Sequence, residues 1–231
     1  IFYTIGLFTV YCNCTVIFNY GFSGHYLVDY KDEDTKRYIE GKIQNKELPI
    51  IDRLFYLESK LLLSKNNKIP FKEVLDIWSL YSNEDDEAVW TAILGAISTA
   101  NQFKTIEPEL KQKIEKYADN ITSKKLSELT WEENEKDSLN IKKLRTILIS
   151  LSLFSKNENS LKKAKELFVA YRDKKDSIRP DIAAYVLRAI IESKEDGAFD
   201  FLLNEYKTTK DIQLKEEIVK ALTASTDEKH V

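Results

Sequence analysis

Side chains that could bind a catalytic metal are few in this sequence. The 231 residues include two histidines, His25 and His230, and two cysteines, Cys12 and Cys14. A zinc site of the H-E-x-x-H type needs two imidazoles four residues apart on one face of a helix, and the sequence offers no such pair. Cys12, Cys14 and His25 could supply three ligands, but no second cysteine pair follows, and we interpret the thiols as small apolar side chains. We therefore predict no metal site in this chain.

Nucleophilic and acid–base groups are equally sparse. Residues 21–24 read Gly-Phe-Ser-Gly, which lacks the G-x-S-x-G spacing of a nucleophile elbow and is better interpreted as a turn. The carboxylates at 84–87 and at 132–133 lie in polar connectors before helices. There they favour the positive end of a helix dipole, whereas general acid–base catalysis would require burial. We predict that the chain carries no catalytic residue of its own.

Two arginines, Arg53 and Arg145, are the candidate substrate-binding residues. A guanidinium group suits a carboxylate, because its donors form a planar fork. The alternative is a structural role, since a buried arginine must be paired. For Arg53, next to Asp52, that role is an ion pair between helices or a helix cap. For Arg145 it is contact with a carboxylate or a helix C-terminus. We favour the structural role for both and keep both as candidate substrate contacts.

Composition and charge restrict the partners and the fold. Lys plus Arg number 35 and Asp plus Glu 38, for a net charge of −3, so we predict no basic face and no nucleic-acid partner. Only 6 Gly and 4 Pro occur, too few for a many-turned β-sandwich or barrel. The sequence begins at Ile1 and contains no Met, which indicates a piece of a longer polypeptide.

The first thirty residues differ from the rest. β-branched and aromatic residues dominate residues 1–18, and a segment with two glycines separates them from the apolar stretch Tyr26–Tyr30. This pattern favours two strands joined by a turn. A membrane span or a signal peptide is the alternative. However, the run is shorter than the about 20 apolar residues of a span and is interrupted by Thr and Asn. It also has no basic start or small-residue cleavage site.

Cysteine spacing bears on the cellular location. Cys12 and Cys14 are one residue apart, too close for an unstrained disulfide, which favours a reducing compartment. We predict a cytoplasmic location and no membrane partner. A membrane-attached or secretory-pathway location is the alternative.

From Asp34 onward the apolar residues follow helical spacing. Short helices joined by short connectors lie antiparallel to their neighbours. We therefore predict a mainly α fold, an irregular two-layer superhelix of antiparallel helical hairpins (a HEAT-like α-solenoid) preceded by a short β segment. Trp78, Trp90 and Trp131 stand at apolar positions and are predicted core anchors. The predicted helices cover residues 38–43, 51–62, 71–81, 88–100, 106–118, 141–154, 161–171, 182–191, 199–206 and 212–222.

Several short motifs, taken in order, resemble one family. Residues 24–30 (Gly-His-Tyr-Leu-Val-Asp-Tyr) resemble the G-x-Y-R-V-x-Y strand that leads out of the β-sandwich domain in zinc aminopeptidases. The family is that of aminopeptidase N and the puromycin-sensitive and endoplasmic-reticulum aminopeptidases. The resemblance covers roughly residues 17–228. Motifs similar to landmarks of its helical C-terminal domain are Asp52-Arg53, Glu87-x-x-Trp90, Leu129-x-Trp131, Leu144-Arg145 and Arg179-Pro180-Asp181.

The resemblance implies an organisation and a function. Residues 1–30 would be the terminal strands of a β-sandwich domain and residues 31–231 the helical C-terminal domain. The parent would be a zinc metalloaminopeptidase that removes N-terminal amino acids from peptides, with its zinc held in an upstream catalytic domain of the same chain and none in this segment. This domain would enclose the active site and control peptide access, so its partners would be the upstream domain and peptide substrates. The alternative is a free-standing helical-repeat scaffold that binds another protein.

Overall fold

A computed structural model describes residues 15–101, 108–175 and 177–230 of the chain. The chain divides into two compact units, Ile1–Tyr117 and Ala118–Val231. The α-helices of the described residues are α1 (Glu33–Gln44), α2 (Ile50–Lys65), α3 (Phe71–Trp78), α4 (Glu87–Asn101), α5 (Pro108–Leu129), α6 (Leu139–Phe154), α7 (Glu158–Asp173), α8 (Pro180–Glu192), α9 (Ala198–Thr208) and α10 (Ile212–Leu222).

Side-chain caps explain where several helices begin. Asp32, Ser138, Asn157 and Asp211 each accept a hydrogen bond from the backbone N–H three residues ahead. Such a cap satisfies one of the backbone donors that the first turn leaves without a partner. Pro180 occupies the first position of α8, where its missing N–H costs nothing.

The first unit is organised around α2. This helix contacts α3 and α4, and a 3₁₀ turn at Ser79–Tyr81 contacts α1. Trp78 and Trp90 are fully buried in this core, as the sequence predicted. Because apolar residues recur every three to four positions along α2 and α3, each helix turns one face inward.

The second unit follows a two-layer pattern. Helix α8 contacts the helices before and after it in the sequence, α7 and α9. It also contacts α6 and α10, which are two helices away in the sequence. Alternate helices that touch form one layer (α6, α8, α10), and the helices between them (α7, α9) form the other. The predicted mainly α fold built from helical hairpins is confirmed.

Helix α5 is longer than its sequence pattern predicted. The prediction ended at residue 118, but the helix continues to Leu129. Its second half carries Ile121 and Leu126 as buried positions among polar residues, so the apolar stripe is thin. None of the helices in the described part of the chain combines the length and the apolar character that crossing a membrane requires.

The predicted β segment is not found in residues 15–30. The structure has a 3₁₀ turn at Tyr20–Phe22 and no strand in this stretch, while residues 1–14 lie outside the described part of the chain. The Asn19 side chain accepts from the Gly24 N–H (2.7 Å) and donates to the carbonyls of Gly24 (2.9 Å) and Tyr26 (3.2 Å). These bonds satisfy locally the backbone groups that a strand would pair with a neighbour. The assignment of residues 1–30 to a β-sandwich domain stays a prediction.

Candidate functional site

Arg53 lies on α2, and all three of its guanidinium nitrogens have partners. Nε is 2.7 Å and Nη2 3.0 Å from the two carboxylate oxygens of Glu84. Nη1 donates to the Leu48 carbonyl at 2.5 Å. Arg53 is 6% exposed and Glu84 2%. This two-point contact with a carboxylate is the geometry that guanidinium groups favour, and here an internal carboxylate supplies it.

Glu84 connects this ion pair to the start of α4. Its Oε1 accepts the backbone N–H groups of Asp85 (2.8 Å) and Asp86 (3.0 Å), and its carbonyl accepts the indole N–H of Trp90 (3.1 Å). Burial would raise the pKa of Glu84, but the hydrogen bonds from Arg53 and from these two N–H groups outweigh it and lower the pKa. The carboxylate therefore stays ionised and fixes the connector before α4.

Asp52, next to Arg53 in the sequence, binds a different segment. Its Oδ1 accepts the backbone N–H of Gly21 at 2.7 Å. Gly21 has a φ of 71°, in the left-handed region that glycine adopts without strain. Phe22 packs on Phe55 of α2 with ring centroids 4.7 Å apart. Helix α2 therefore holds the 3₁₀ turn of residues 20–22 against its own surface.

Sequence reasoning missed Lys60, a second buried cation of α2. Its ammonium is 3.0 Å from Asp29 Oδ1, and the residue is 2% exposed. Burial would raise the pKa of Asp29, but the hydrogen bonds from Lys31 and Lys60 outweigh it and lower the pKa. Lys60 follows Arg53 by seven residues and so shares its face of α2, which is the signal that could have revealed it.

Arg145 lies on α6 and is 2% exposed. Its Nη2 is 2.8 Å from Asp137 Oδ2, and Nε and Nη2 also donate to the carbonyls of Leu129 and Thr130 at 3.2–3.4 Å. These carbonyls form the C-terminal end of α5, where a cation interacts favourably with the helix dipole. Both structural partners considered for Arg145, a carboxylate and a helix C-terminus, are present.

A second arginine fixes the connector between α5 and α6. Arg179 donates from Nη1 to the Trp131 carbonyl at 3.2 Å and lies 3.4 Å from Glu133 and 3.1 Å from Asp181. Lys142 also pairs with Glu133, at 3.4 Å. Because side chains from α6 and from the start of α8 bind the same connector, its backbone is held at several points.

Trp131 does not match its prediction. The sequence predicted a core anchor, but the residue is only partly buried and lines an open pocket of about 340 Å³ in the second unit. It stands outside a helix, two residues after the end of α5, so helical periodicity does not determine which way it points. Trp78 and Trp90 are fully buried, which confirms their predictions. Both lie within helices, where helical periodicity does determine the buried face.

The described residues offer no group of three His, Cys, Asp or Glu side chains placed to hold a metal ion. His25 and His230 are within this part of the chain, while Cys12 and Cys14 lie outside it. The absence of zinc from the segment stays a prediction.

Comparison with known proteins gives the family. The family model described as ERAP1-like C-terminal domain matches residues 15–231. This chain belongs to that family. An ERAP1-like C-terminal domain is what the motifs from Asp52-Arg53 to Arg179-Pro180-Asp181 led us to expect.

The relatives of this ERAP1-like C-terminal domain are much longer proteins. Aminopeptidase N of Lactobacillus helveticus is 26% identical over 212 residues, which are 90% of this chain and 24% of that protein. Alanine/arginine aminopeptidase of Saccharomyces cerevisiae is 27% identical over 187 residues, 80% of this chain and 22% of that protein. Aminopeptidase Q of Homo sapiens is 27% identical over 224 residues, which are 92% of this chain and 22% of that protein. The chain spans about a quarter of the length of these relatives.

Proposed function

We propose that this ERAP1-like C-terminal domain encloses the active site of a zinc-dependent aminopeptidase and controls which peptides reach it. The observation that carries the proposal is the family match over residues 15–231, with relatives named as aminopeptidases. In this division of labour the upstream domain of the same chain holds the zinc and the catalytic residues. The C-terminal domain supplies a wall.

A wall of packed helices can act without catalytic residues. It excludes bulk water and folded proteins from an active site by occupying space, and this strengthens the electrostatic interactions inside. Such a wall must be rigid, and the internal ion pair of Arg53 and the helix-end contact of Arg145 support rigidity. The match to a C-terminal domain family favours this function over a free-standing scaffold.

Direct substrate contact by Arg53 and Arg145 is a separate part of the proposal. A peptide carboxylate would compete with Glu84 for Arg53 and with Asp137 for Arg145. Both arginines are less than a tenth exposed, so such contact would require an internal ion pair to open. We therefore assign them first to the structure of the wall.

A chimera tests the enclosing function. Residues 15–231 replace the matching segment of the Lactobacillus helveticus aminopeptidase N, and hydrolysis is measured on an aminoacyl-arylamide, a ten-residue peptide and a folded protein. We expect turnover of the first two substrates and none of the third. In the control, the rest of the Lactobacillus helveticus enzyme is joined to an unrelated helical protein of equal length. This control should not restore the selectivity for peptides over the folded protein.

The 231-residue chain alone completes the test. We expect no arylamide hydrolysis and no zinc in elemental analysis of the purified chain. Zinc-dependent hydrolysis by this chain would overturn the division of labour, and a chimera that trims the folded protein as fast as the arylamide would overturn enclosure. Cell fractionation tests the accompanying proposal of a cytoplasmic location against the membrane-attached or secretory alternative.

A further inference from the structure

The pocket beside Trp131 is not used by the proposed function. It measures about 340 Å³, within the range of about 300–1,000 Å³ that small-molecule pockets occupy. Its walls come from the second half of α5, the connector after it, the end of α6 and the start of α7. Residues that line it include Ser123, Ser127, Thr130, Trp131, Asn159 and Lys163.

Apart from the ion pair of Lys163 and Glu132, the lining combines one aromatic ring with neutral polar groups. Ser123 and Ser127 donate their hydroxyl protons to helix carbonyls, at 2.6 Å in both cases, and so keep lone pairs for a ligand. Within the described part of the chain, the Asn159 amide and the Trp131 indole N–H have no hydrogen-bond partner. The pocket therefore offers both acceptors and donors.

Charge in the pocket is balanced. The Lys163 ammonium is 3.0 Å from Glu132 Oε1, and both residues line the pocket. The hydrogen bond from Lys163 also lowers the pKa of Glu132, so the carboxylate stays ionised at neutral pH. With one positive and one negative group paired, a ligand of either net charge gains little, and a neutral ligand is favoured.

The backbone that carries Trp131 is held in place by two arginines. Arg179 binds the Trp131 carbonyl, and Arg145 binds the carbonyl of Thr130. Thr130 has a φ of 59°, which a β-branched residue adopts only when its surroundings impose it. Because this backbone is ordered before the ligand arrives, binding costs less conformational entropy.

We propose that this pocket binds a neutral saccharide of one or two rings. Such a ligand has an apolar C–H face that can pack on the Trp131 ring and a rim of hydroxyl groups that both donate and accept. That rim matches the mixed donors and acceptors of Asn159, Ser123 and Ser127. The site is independent of the proposed enclosing function, because it needs neither the upstream domain nor a peptide.

Titration of the 231-residue chain followed by NMR tests the proposal. The probes are glucose, N-acetylglucosamine, maltose and N,N′-diacetylchitobiose, and the readout is the indole N–H signal of Trp131, assigned through Trp131→Phe. We expect a saturable shift with at least one saccharide. The indole signals of the buried Trp78 and Trp90 should stay unchanged and serve as internal controls.

Variants connect the binding to the pocket. Saturation transfer from protein to ligand protons should disappear in Trp131→Ala, and Asn159→Ala should raise Kd by about tenfold. Because Asn159 is exposed, its loss should leave folding intact even if Trp131→Ala is unstable. Tyr185→Ala, which removes an exposed aromatic residue of α8 outside the pocket, is the matched control and should bind like the wild type.

Three results would overturn the proposal. The first is the absence of a saturable shift with all four saccharides. The second is a saturable shift with inorganic phosphate or trialanine but with no saccharide, which would assign the pocket to an anion or a peptide. The third is unchanged saccharide binding in Asn159→Ala.

Discussion

At the scale of single residues, the buried cations connect segments that are far apart in the sequence. Arg53 and Glu84 are 31 residues apart, as are Lys60 and Asp29. A buried charge that loses its partner costs far more than an exposed one, because neither water nor another charge compensates it. The contribution of these pairs is therefore best measured by removing one partner at a time.

Glu84→Gln should destabilise the first unit strongly. The change leaves the Arg53 guanidinium buried without a counter-charge, and we expect a loss of about 3–5 kcal/mol in the free energy of unfolding. Urea unfolding followed by circular dichroism measures it. Arg37→Gln, which removes an exposed ion pair with Asp34, is the control and should cost at most about 1 kcal/mol. Equal effects of the two changes would contradict the structural role of Arg53.

Acid should weaken the same contact. The folded state lowers the pKa of Glu84, so this group contributes stability above its unfolded pKa of about 4.3 and loses it as pH falls through the folded value. We expect the free energy of unfolding to decrease on acidification below about pH 5, and to decrease less steeply in Glu84→Gln. Urea unfolding at a series of pH values gives both slopes. Parallel slopes would show that Glu84 titrates normally.

Sequence reasoning at this scale succeeded in part. The statement that a buried arginine must be paired predicted both kinds of partner that Arg145 has. It could not predict the pairing of Lys60 with Asp29, because nothing local brings residues 31 positions apart together. Trp131 was misassigned, because helical spacing carries no information about a side chain in a connector.

At the scale of elements, helices were predictable wherever the apolar period was strong. Helices α6 and α8 appear close to their predicted bounds, since many apolar residues mark their buried faces. The second half of α5 escaped prediction because only a few buried positions are spread among polar ones. Strands were predicted in residues 1–30 from residue type and a glycine-containing turn, yet in the described residues 15–30 local side-chain hydrogen bonds give a different structure.

The cap of α10 offers a test at the same scale. Asp211 accepts the Leu214 N–H at 3.2 Å, and Asp211→Ala leaves that donor without a partner. We expect a loss of about 1 kcal/mol in the free energy of unfolding. Asp211→Asn, which keeps an accepting oxygen, should retain most of the stability. Thermal unfolding of the three proteins gives the comparison, and an equal loss in both variants would argue against the cap.

At the scale of the whole molecule, the second unit has packing and ion-pair contacts of its own. Its Arg145 finds its partners in Asp137 and in the end of α5, and its helices α6 to α10 contact one another. A compact unit with its own core can fold without the rest of the chain. This property is open to a direct experiment.

Residues 118–231 should fold alone. We expect a helical circular dichroism spectrum and a cooperative thermal transition, because the fragment keeps the core of the second unit. A shorter fragment, residues 139–231, lacks the carbonyls and the carboxylate that bind Arg145 and should melt at a lower temperature. If the longer fragment gave a broad, non-cooperative transition, its stability would have to come from elsewhere in the chain.

The attachment of residues 15–30 to α2 has a practical consequence for domain grafting. A fusion point at the start of α1 would remove Asp29. The buried Lys60 ammonium would then lack the carboxylate that pairs with it. It would also remove the N–H of Gly21 from Asp52 and the ring of Phe22 from Phe55. Grafts of this domain should therefore include the sixteen residues from Thr15 to Tyr30. The fusion junction should lie before Thr15.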